Sequence, residues 1–257
     1  MFRLRCAHLL LCVSLIAVPQ YAQEKQPATK ATPAKDIDPL ALDVLRAVAQ
    51  PVEEAQAFNF KALVSEEDSA SDGQILTFFH SVDVTVQRPN KIHLVYHGNG
   101  QQVDFYLLNG TVTMWAPDPK LYASLPAKPT IDAGVMDVLH KGFDMPIGPF
   151  LLSNFYDLAA KAVTTGYVIG RVKIYDQNVH QLAFTAPDAD WQLWVTGGPE
   201  PRIVRAEVVN KKLEGKPRTI IQFLDWDLKP NIAPDEFTFT KPSDAQEINF
   251  LPTPGGK

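Results

Sequence analysis

Apolar residues recur along this chain with two different periods, and the switches between them mark its elements. Leu42, Leu45, Val48 and Val52 fall at helical spacing behind Asp38, a good cap, and Pro39, favoured at the first helical position. The helix they predict runs to about Gln50 and ends or kinks at Pro51. From Ala57 the period becomes two, with Phe58, Phe60, Ala62 and Val64 alternating with Asn59, Lys61 and Leu63. A polar loop ending at Asp72-Gly73 leads into a long strand, Gln74 to Gln87, and then into Ile92 to His97, Gln101 to Leu108 and Thr111 to Ala116. Asn99-Gly100 and Asn109-Gly110 supply the positive φ angles of tight type I′ hairpin turns, so these segments predict an antiparallel meander.

The alternation breaks at Pro126 and Pro129. Ile131, Val135, Val138 and Leu139 predict one amphipathic helix capped by Thr130, and Leu151, Phe155, Leu158 and Ala162 a second, with Gly142 to Pro149 between them. Alternation returns at Thr164 to Tyr175, Val179 to Thr185, Trp191 to Val195, Arg202 to Asn210 and Arg218 to Trp226. About ten antiparallel strands would expose long edges unless the sheet curls or closes. The expected fold is therefore mainly antiparallel β with helices (α+β): a half-open, curled β-barrel covered by a helical lid at residues 130–162.

The N-terminus changes the compartment. Arg3 and Arg5 precede an apolar run from Leu9 to Val18, which Pro19 breaks before the small residue Ala22. That is the pattern of a secretory signal over residues 1–22, and the run is too short to span a bilayer. Leu11 before Cys12 does not fit lipid attachment at that cysteine. Residues 23–37, polar and rich in Pro, Ala, Lys and Thr, read as a flexible linker, and residues 38–257 as a single β domain. The expected location is periplasmic, with the protein soluble after signal cleavage and no transmembrane span in the mature chain. Both cysteines, Cys6 and Cys12, lie in the signal, so disulfides, cysteine nucleophiles and thiolate metal sites are not expected. The formal charge is −5, and loss of two arginines takes it to −7, which argues against nucleic acid as a partner.

Recognisable chemistry is sparse. His93 and His97 share a strand face, but two strand steps set their Cα atoms about 13 Å apart, too far for one metal ion. Asp225 and Asp227 flank Trp226 as a carboxylate pair, a pattern commoner at strand ends facing water than in acid–base catalysis. Lys211, Lys212, Lys216 and Arg218 gather at a predicted hairpin, where a solvated turn competes with contact to anionic headgroups. No nucleophile elbow or phosphate loop occurs in the sequence. No cofactor and no catalytic residues are expected, and the chain reads as a non-enzyme.

Seven short segments come in an order that resembles one family. They are Arg88-Pro89-Asn90-Lys91-Ile92, the Asn109-Gly110 turn before Thr113, Leu121-Tyr122-Ala123, His180-Gln181-Leu182-Ala183-Phe184 and Asp190-Trp191-Gln192-Leu193-Trp194. Pro199-Glu200-Pro201-Arg202 and Pro234-Asp235-Glu236-Phe237-Thr238-Phe239-Thr240 complete the series. The series resembles the predicted periplasmic proteins of the domain-of-unknown-function family 2092, which is similar in fold to lipoprotein carriers of the LolA and LolB type. The resemblance spans roughly Asp38 to Leu251. It departs at Lys241-Pro242, where carriers often have a double proline, and in the lack of a lipidated cysteine in the mature chain. It implies an incomplete barrel around a hydrophobic cavity for acyl chains, with a lipid or acylated protein as partner. Candidate cavity residues are Phe79, Leu94, Phe105, Trp115, Val135, Leu139, Leu151, Phe155, Phe184 and Trp194. A packed core uses the same residue types, so an envelope protein-interaction module without a small ligand remains the alternative, and a hydrolase the third reading.

Overall fold

A computed structural model describes residues 35–174 and 176–250. The proposed signal, residues 1–22, and most of the linker lie outside the described residues. The first described pairing corrects the end of the linker. Asp36–Ile37 (β1) runs parallel to the start of Thr165–Ile174 (β8). There Asp36 N donates to Thr164 O at 2.9 Å and Asp38 N to Gly166 O at 2.8 Å. A sheet edge with unpaired backbone groups recruits these residues even though their side chains carry no strand signal.

Helix α1, Pro39–Glu54, begins as its sequence predicts, with the Asp38 carboxylate accepting from Leu40 N at 2.9 Å. It continues through Pro51 for one more turn. The carbonyl that Pro51 leaves without a helical partner belongs to Ala47, on the exposed face of the helix. A six-strand meander follows: β2 (Ala57–Ser69), β3 (Ile75–Gln87), β4 (Lys91–Gly98), β5 (Gln101–Leu108), β6 (Thr111–Ala116) and β7 (Leu121–Pro126). Both Asn-Gly turns have the expected geometry, with φ of 53° and 72° at Asn99 and Gly100 and 50° and 82° at Asn109 and Gly110. Strand β7 is not marked by the period of the sequence. It is short, lies among four prolines and pairs only with β6 and a two-residue strand, where a missing N–H costs little.

Helix α2, Ile131–His140, is capped by the Thr130 hydroxyl accepting from Ala133 N. The second predicted lid helix is split into a 3-10 helix, Gly148–Leu151, and α3, Phe155–Ala162. Ser153 causes the break, because its N–H and hydroxyl both donate to the Asp132 carboxylate of α2 instead of continuing a helix. A second meander comprises β8, β9 (Gln177–Thr185), β10 (Ala189–Thr196), β11 (Ile203–Asn210) and β12 (Arg218–Asp227). A last short strand, β13 (Gln246–Glu247), lies parallel to β7.

Strand β12 returns to pair antiparallel with β2, joining both meanders, among the described residues, into one 13-stranded sheet that does not close. Its concave face is read directly from the register. Phe60, Val84, Leu94 and Phe105 form one cross-strand row, and Leu182, Leu193, Ala206, Ile221 and Val64 form another. Ile131, Val135 and Val138 of α2 and Leu151 of the 3-10 helix are buried in the same core. The helices therefore cover the concave face. On the convex face the segment after β12 lies as a strap: Phe237 is buried and Phe239 packs 5.6 Å from Trp115.

The Asp225 and Asp227 pair does not stay on one strand face. Asp225 has φ 52° and the register slips between Leu224 and Asp227, a bulge that Asp tolerates in the left-handed region. The extra residue turns Trp226 to the same side as Phe223, with ring centroids 5.5 Å apart, and leaves both aspartates exposed.

Candidate functional site: an apolar pocket under the lid

Between the helices and strands β10 and β11 the interior is not filled. A pocket of about 360 Å³ is walled by Met136 and Leu139 of α2, by Pro146, Pro149, Phe150 and Leu152 of the connection, and by Phe155, Leu158 and Ala159 of α3. The sheet supplies Trp191 and Leu193 from β10 and Ala206 and Val208 from β11. The space follows from a choice of side chain, since Ala206 sits directly across from Leu193 in the register, where a larger residue would fill it. Trp191 closes one end, stacked on Phe184 with centroids 4.1 Å apart. Only Gln192 and Glu207 interrupt the apolar wall, which among the described residues holds no serine, cysteine, histidine or lysine. Leu158 and Met136, 42 % and 36 % exposed, leave apolar surface facing water at the mouth. Pockets that bind small molecules span about 300–1,000 Å³, so the volume suits one slender chain rather than several.

A larger concavity of about 520 Å³ lies at the β4–β5 turn, lined by Phe79, Asp118 and residues 97–102. It is an open, mostly polar groove on the surface, and the smaller pocket is the better candidate.

Polar contacts fix the cover at both ends of its helices. Glu53 of α1 accepts from Tyr156 N of α3 at 2.6 Å, and burial raises its carboxyl above the usual range. Arg88 donates to Val52 O at 3.3 Å and lies 3.9 Å from Asp132 of α2, the carboxylate that also holds Ser153. Lys35 caps the end of α3 through Ala160 O and Lys161 O, both at 3.0 Å. Lys141 Nζ donates to Pro126 O at 2.7 Å.

Of the ten candidate cavity residues, Leu139 and Phe155 line this pocket. Leu94, Phe105, Val135, Leu151 and Phe184 are buried in the packed core. Phe79 is 60 % exposed, at the end of β3 that overhangs β4. Trp115 packs against the convex strap, and Trp194 lies on the convex side with Arg205 over its ring at 5.4 Å. The sequence reading missed Trp191, Leu193, Ala206 and Val208. A signal was present: Trp191 shares its phase with the buried Leu193 and Val195, whereas Trp194 shares its phase with Gln192.

The other candidates resolve as surface chemistry. His93 pairs with Glu236 of the strap at 3.0 Å, while His97 is exposed. Lys211 and Lys212 bond Asp190 and Asp188, each at 2.8 Å, and Arg218 lies 3.3 Å from Glu207, so the basic hairpin is largely neutralised.

The model of the family described as predicted periplasmic protein (DUF2092) matches residues 41–251. The chain belongs to this family. The DUF2092 match begins within α1 and runs through β13, and the family places the protein in the periplasm. No described helix is long and apolar enough to cross a membrane. No curated protein matches the chain in sequence. Solved structures similar to this DUF2092 protein include the lipoprotein LppX of Mycobacterium tuberculosis, at 14 % identity over 76 % of this chain and 100 % of that one, with a TM-score of 0.49. LprF of Mycobacterium bovis aligns at 15 % identity over 81 % of this chain and 99 % of that one, with a TM-score of 0.47. A LolA-superfamily protein of Nitrosomonas europaea aligns at 12 % over 77 % and 97 %, with a TM-score of 0.34.

Proposed function

We propose that this protein is a periplasmic binding or carrier protein, not an enzyme, whose ligand is the alkyl or acyl chain of a lipid or acylated protein. The observation that carries this reading is the apolar pocket of about 360 Å³ between the lid helices and β10–β11, with Leu158 and Met136 at its mouth. Burial of an alkyl chain contributes about 0.8 kcal/mol per methylene, so about twelve carbons gross roughly 10 kcal/mol before ordering and association costs. Such binding needs a dry wall and a cover, and the wall offers no nucleophile for a hydrolase. A packed interaction module is the competing reading. It is favoured by the filled core between β2 and β6 and by the exposed Phe78 and Phe79 at the overhanging hairpin.

Native mass spectrometry of the purified protein with fatty acids, phospholipids and an acylated peptide tests the proposal. One bound chain at micromolar concentration is expected, with binding lost on Leu139→Asp. Absence of any adduct, with Leu139→Asp indistinguishable from the parent, would leave the interaction module in its place.

A further inference from the structure

Strands β2 and β3 run on past their neighbours. In the register β4 pairs with β3 only from His80 to Gln87, and β12 pairs with β2 only as far as Glu66. Beyond those points the two strands continue as a hairpin, with Glu67 on Thr77 and Ser69 on Ile75. The β12 side of this overhang is met by the turn before β12, where Arg218 N donates to the Glu67 carboxylate at 3.0 Å. The β4 side is bare. Among the described residues Ile75–Phe79 has no strand partner there, an edge about 17 Å long at strand rise. The concavity of about 520 Å³ lies at its foot, where β4 turns away at Asn99-Gly100, with Phe79 and Asp118 in its walls.

That edge carries no device against pairing. Ile75, Leu76, Phe78 and Phe79 are 46, 37, 44 and 60 % exposed, and the segment holds no charge, no proline and no slip in its register with β2. The outer edges of the same sheet are different. Strand β8 beyond β1 presents Arg171 and Lys173 and is bulged between Val168 and Gly170. Strand β7 ends in Pro126 and is covered by β13 at Leu121 and Tyr122. Charges, prolines and bulges keep exposed edges from pairing, so five apolar-rich residues without them form an edge open to another strand.

The backbone and the charges together select the occupant. Unpaired N–H and C=O groups on an edge are satisfied by another backbone, whereas lipid hydrocarbon would leave them without partners. Behind the apolar edge the hairpin carries Glu67, Asp68 and Asp72, and Asp118 borders the concavity. None of these four forms an ion pair among the described residues. Lys211, Lys212 and Arg218 of the neighbouring turn are drawn to Asp190, Asp188 and Glu207, which leaves only Lys216 of that turn to set against them. A second copy of this edge would bring the same four carboxylates and repel the first. A basic strand would not. It would lie two strand spacings, about 10 Å, from β2, a gap that a Lys or Arg side chain and a carboxylate close between them.

We propose that the free edge of β3 at Ile75–Phe79 takes up an extended segment of a partner protein as an added strand, apolar at alternate positions and carrying Lys or Arg at its ends. Backbone hydrogen bonds to β3 hold it in register. Ile75 and Phe79 on one face, and Leu76 and Phe78 on the other, contact its apolar side chains. Its flanking cations meet the carboxylates of the hairpin and Asp118, and one end of it enters the concavity beside Phe79. This surface shares no residue with the alkyl pocket, so its use does not depend on what that pocket holds.

The probes are short synthetic peptides in which Val or Ile alternates with Thr and Lys stands at both ends, with analogues carrying Glu in place of Lys and analogues N-methylated along one edge or the other. Fluorescence anisotropy measures their binding to the purified protein, and amide NMR shifts locate it. The basic peptides should saturate the protein and shift residues 75–79. The Glu analogues should bind at least about tenfold more weakly, and so should the peptide methylated on the edge that faces β3, while methylation of the opposite edge leaves affinity unchanged. Leu76→Lys and Phe79→Lys, both at exposed positions, should abolish binding with the unfolding midpoint little changed. Asp68→Asn with Asp118→Asn should leave the fold intact and narrow the gap between basic and acidic peptides. Equal binding of both methylated forms, or shifts away from this hairpin, would overturn the added strand. Acidic peptides that bind as well as basic ones would overturn the choice of partner. A dimer in sedimentation that Phe79→Lys dissolves would give the edge to a second copy, and binding to phosphatidylethanolamine–phosphatidylglycerol vesicles that Phe79→Lys abolishes would give it to a membrane. If none of the peptides binds, the proposal falls.

Discussion

Leu94 and Phe155 are both apolar side chains on the inner surface, but they differ in what lies beyond them. Leu94 is fully buried among packed neighbours, whereas Phe155 borders open space. Leu94→Ala should therefore cost about 2–5 kcal/mol of stability and leave alkyl affinity unchanged. Phe155→Asp should lower alkyl affinity at least about tenfold, since it puts a charge into a dry wall, with a smaller loss of stability. Urea unfolding beside ligand titration separates the two, and parallel losses for both variants would contradict the distinction. Glu66 makes a prediction with a definite sign. Its folded proton affinity, near pH 7, lies above the 4.5 of an ordinary glutamate, so the folded state holds the proton more tightly and stability falls as the pH rises from about 4.5 to 7. His80, lowered by burial, acts in the opposite direction below its ordinary value of 6.5. Glu66→Gln isolates the first effect. It should raise Tm at pH 8 and raise it less at pH 5, and equal shifts at the two values would count against the assignment. At this scale the sequence was legible where phase decided burial. Residue type alone misled the choice between Trp194 and Trp191, and the Asp225 bulge, which reverses phase, left no mark in the alternation.

Among the elements, those with local causes were readable and those with tertiary causes were not. The Asn-Gly hairpins and the Thr130 and Asp38 caps act within a few residues, and the structure follows them. Strands β1 and β13 exist because a distant edge needs partners, and the split before α3 because Ser153 turns to Asp132. The lid itself is held unevenly. Helix α2 approaches the sheet closely at Gly134, where an added Cβ would lie 2.9 Å from Leu107 Cδ1 and 3.0 Å from Lys128 O. Gly134→Ala should lift α2 and cost about 1–3 kcal/mol, read by thermal unfolding. By contrast, the connection from Gly142 to Pro149 meets the sheet mainly through Met145 and Ile147 and carries the proline-rich rim of the pocket. It is the segment expected to open. Hydrogen exchange at residues 142–149 should be faster than in β10 and β11 and should slow when an alkyl chain binds. Exchange as slow as in the strands, unchanged by ligand, would mean that the cover does not move.

At the scale of the molecule, one open sheet carries two different coverings. The convex side of β4 to β7 is closed by the C-terminal strap, with Glu236 on His93 and Phe239 among Tyr106, Trp115 and Tyr122. The concave side is closed by helices, and it is packed solid under β2 to β6 but hollow under β10 and β11. This asymmetry was not readable from the sequence, because cavity and core draw on the same apolar alphabet; only the pairing of Ala206 with Leu193 separates them. The four tryptophans report on it directly. Trp191 lines the pocket, while Trp115 and Trp194 lie on the convex side and Trp226 in the aromatic cluster with Phe60 and Phe223. The most direct measurement is quenching by a brominated fatty chain in two single-tryptophan variants, one keeping Trp191 and one keeping Trp115, with the other positions changed to Phe. An alkyl chain under the lid should quench Trp191 saturably at micromolar concentration and leave Trp115 at its starting intensity. Equal quenching of both, or quenching that never saturates, would contradict a pocket between the lid and β10–β11.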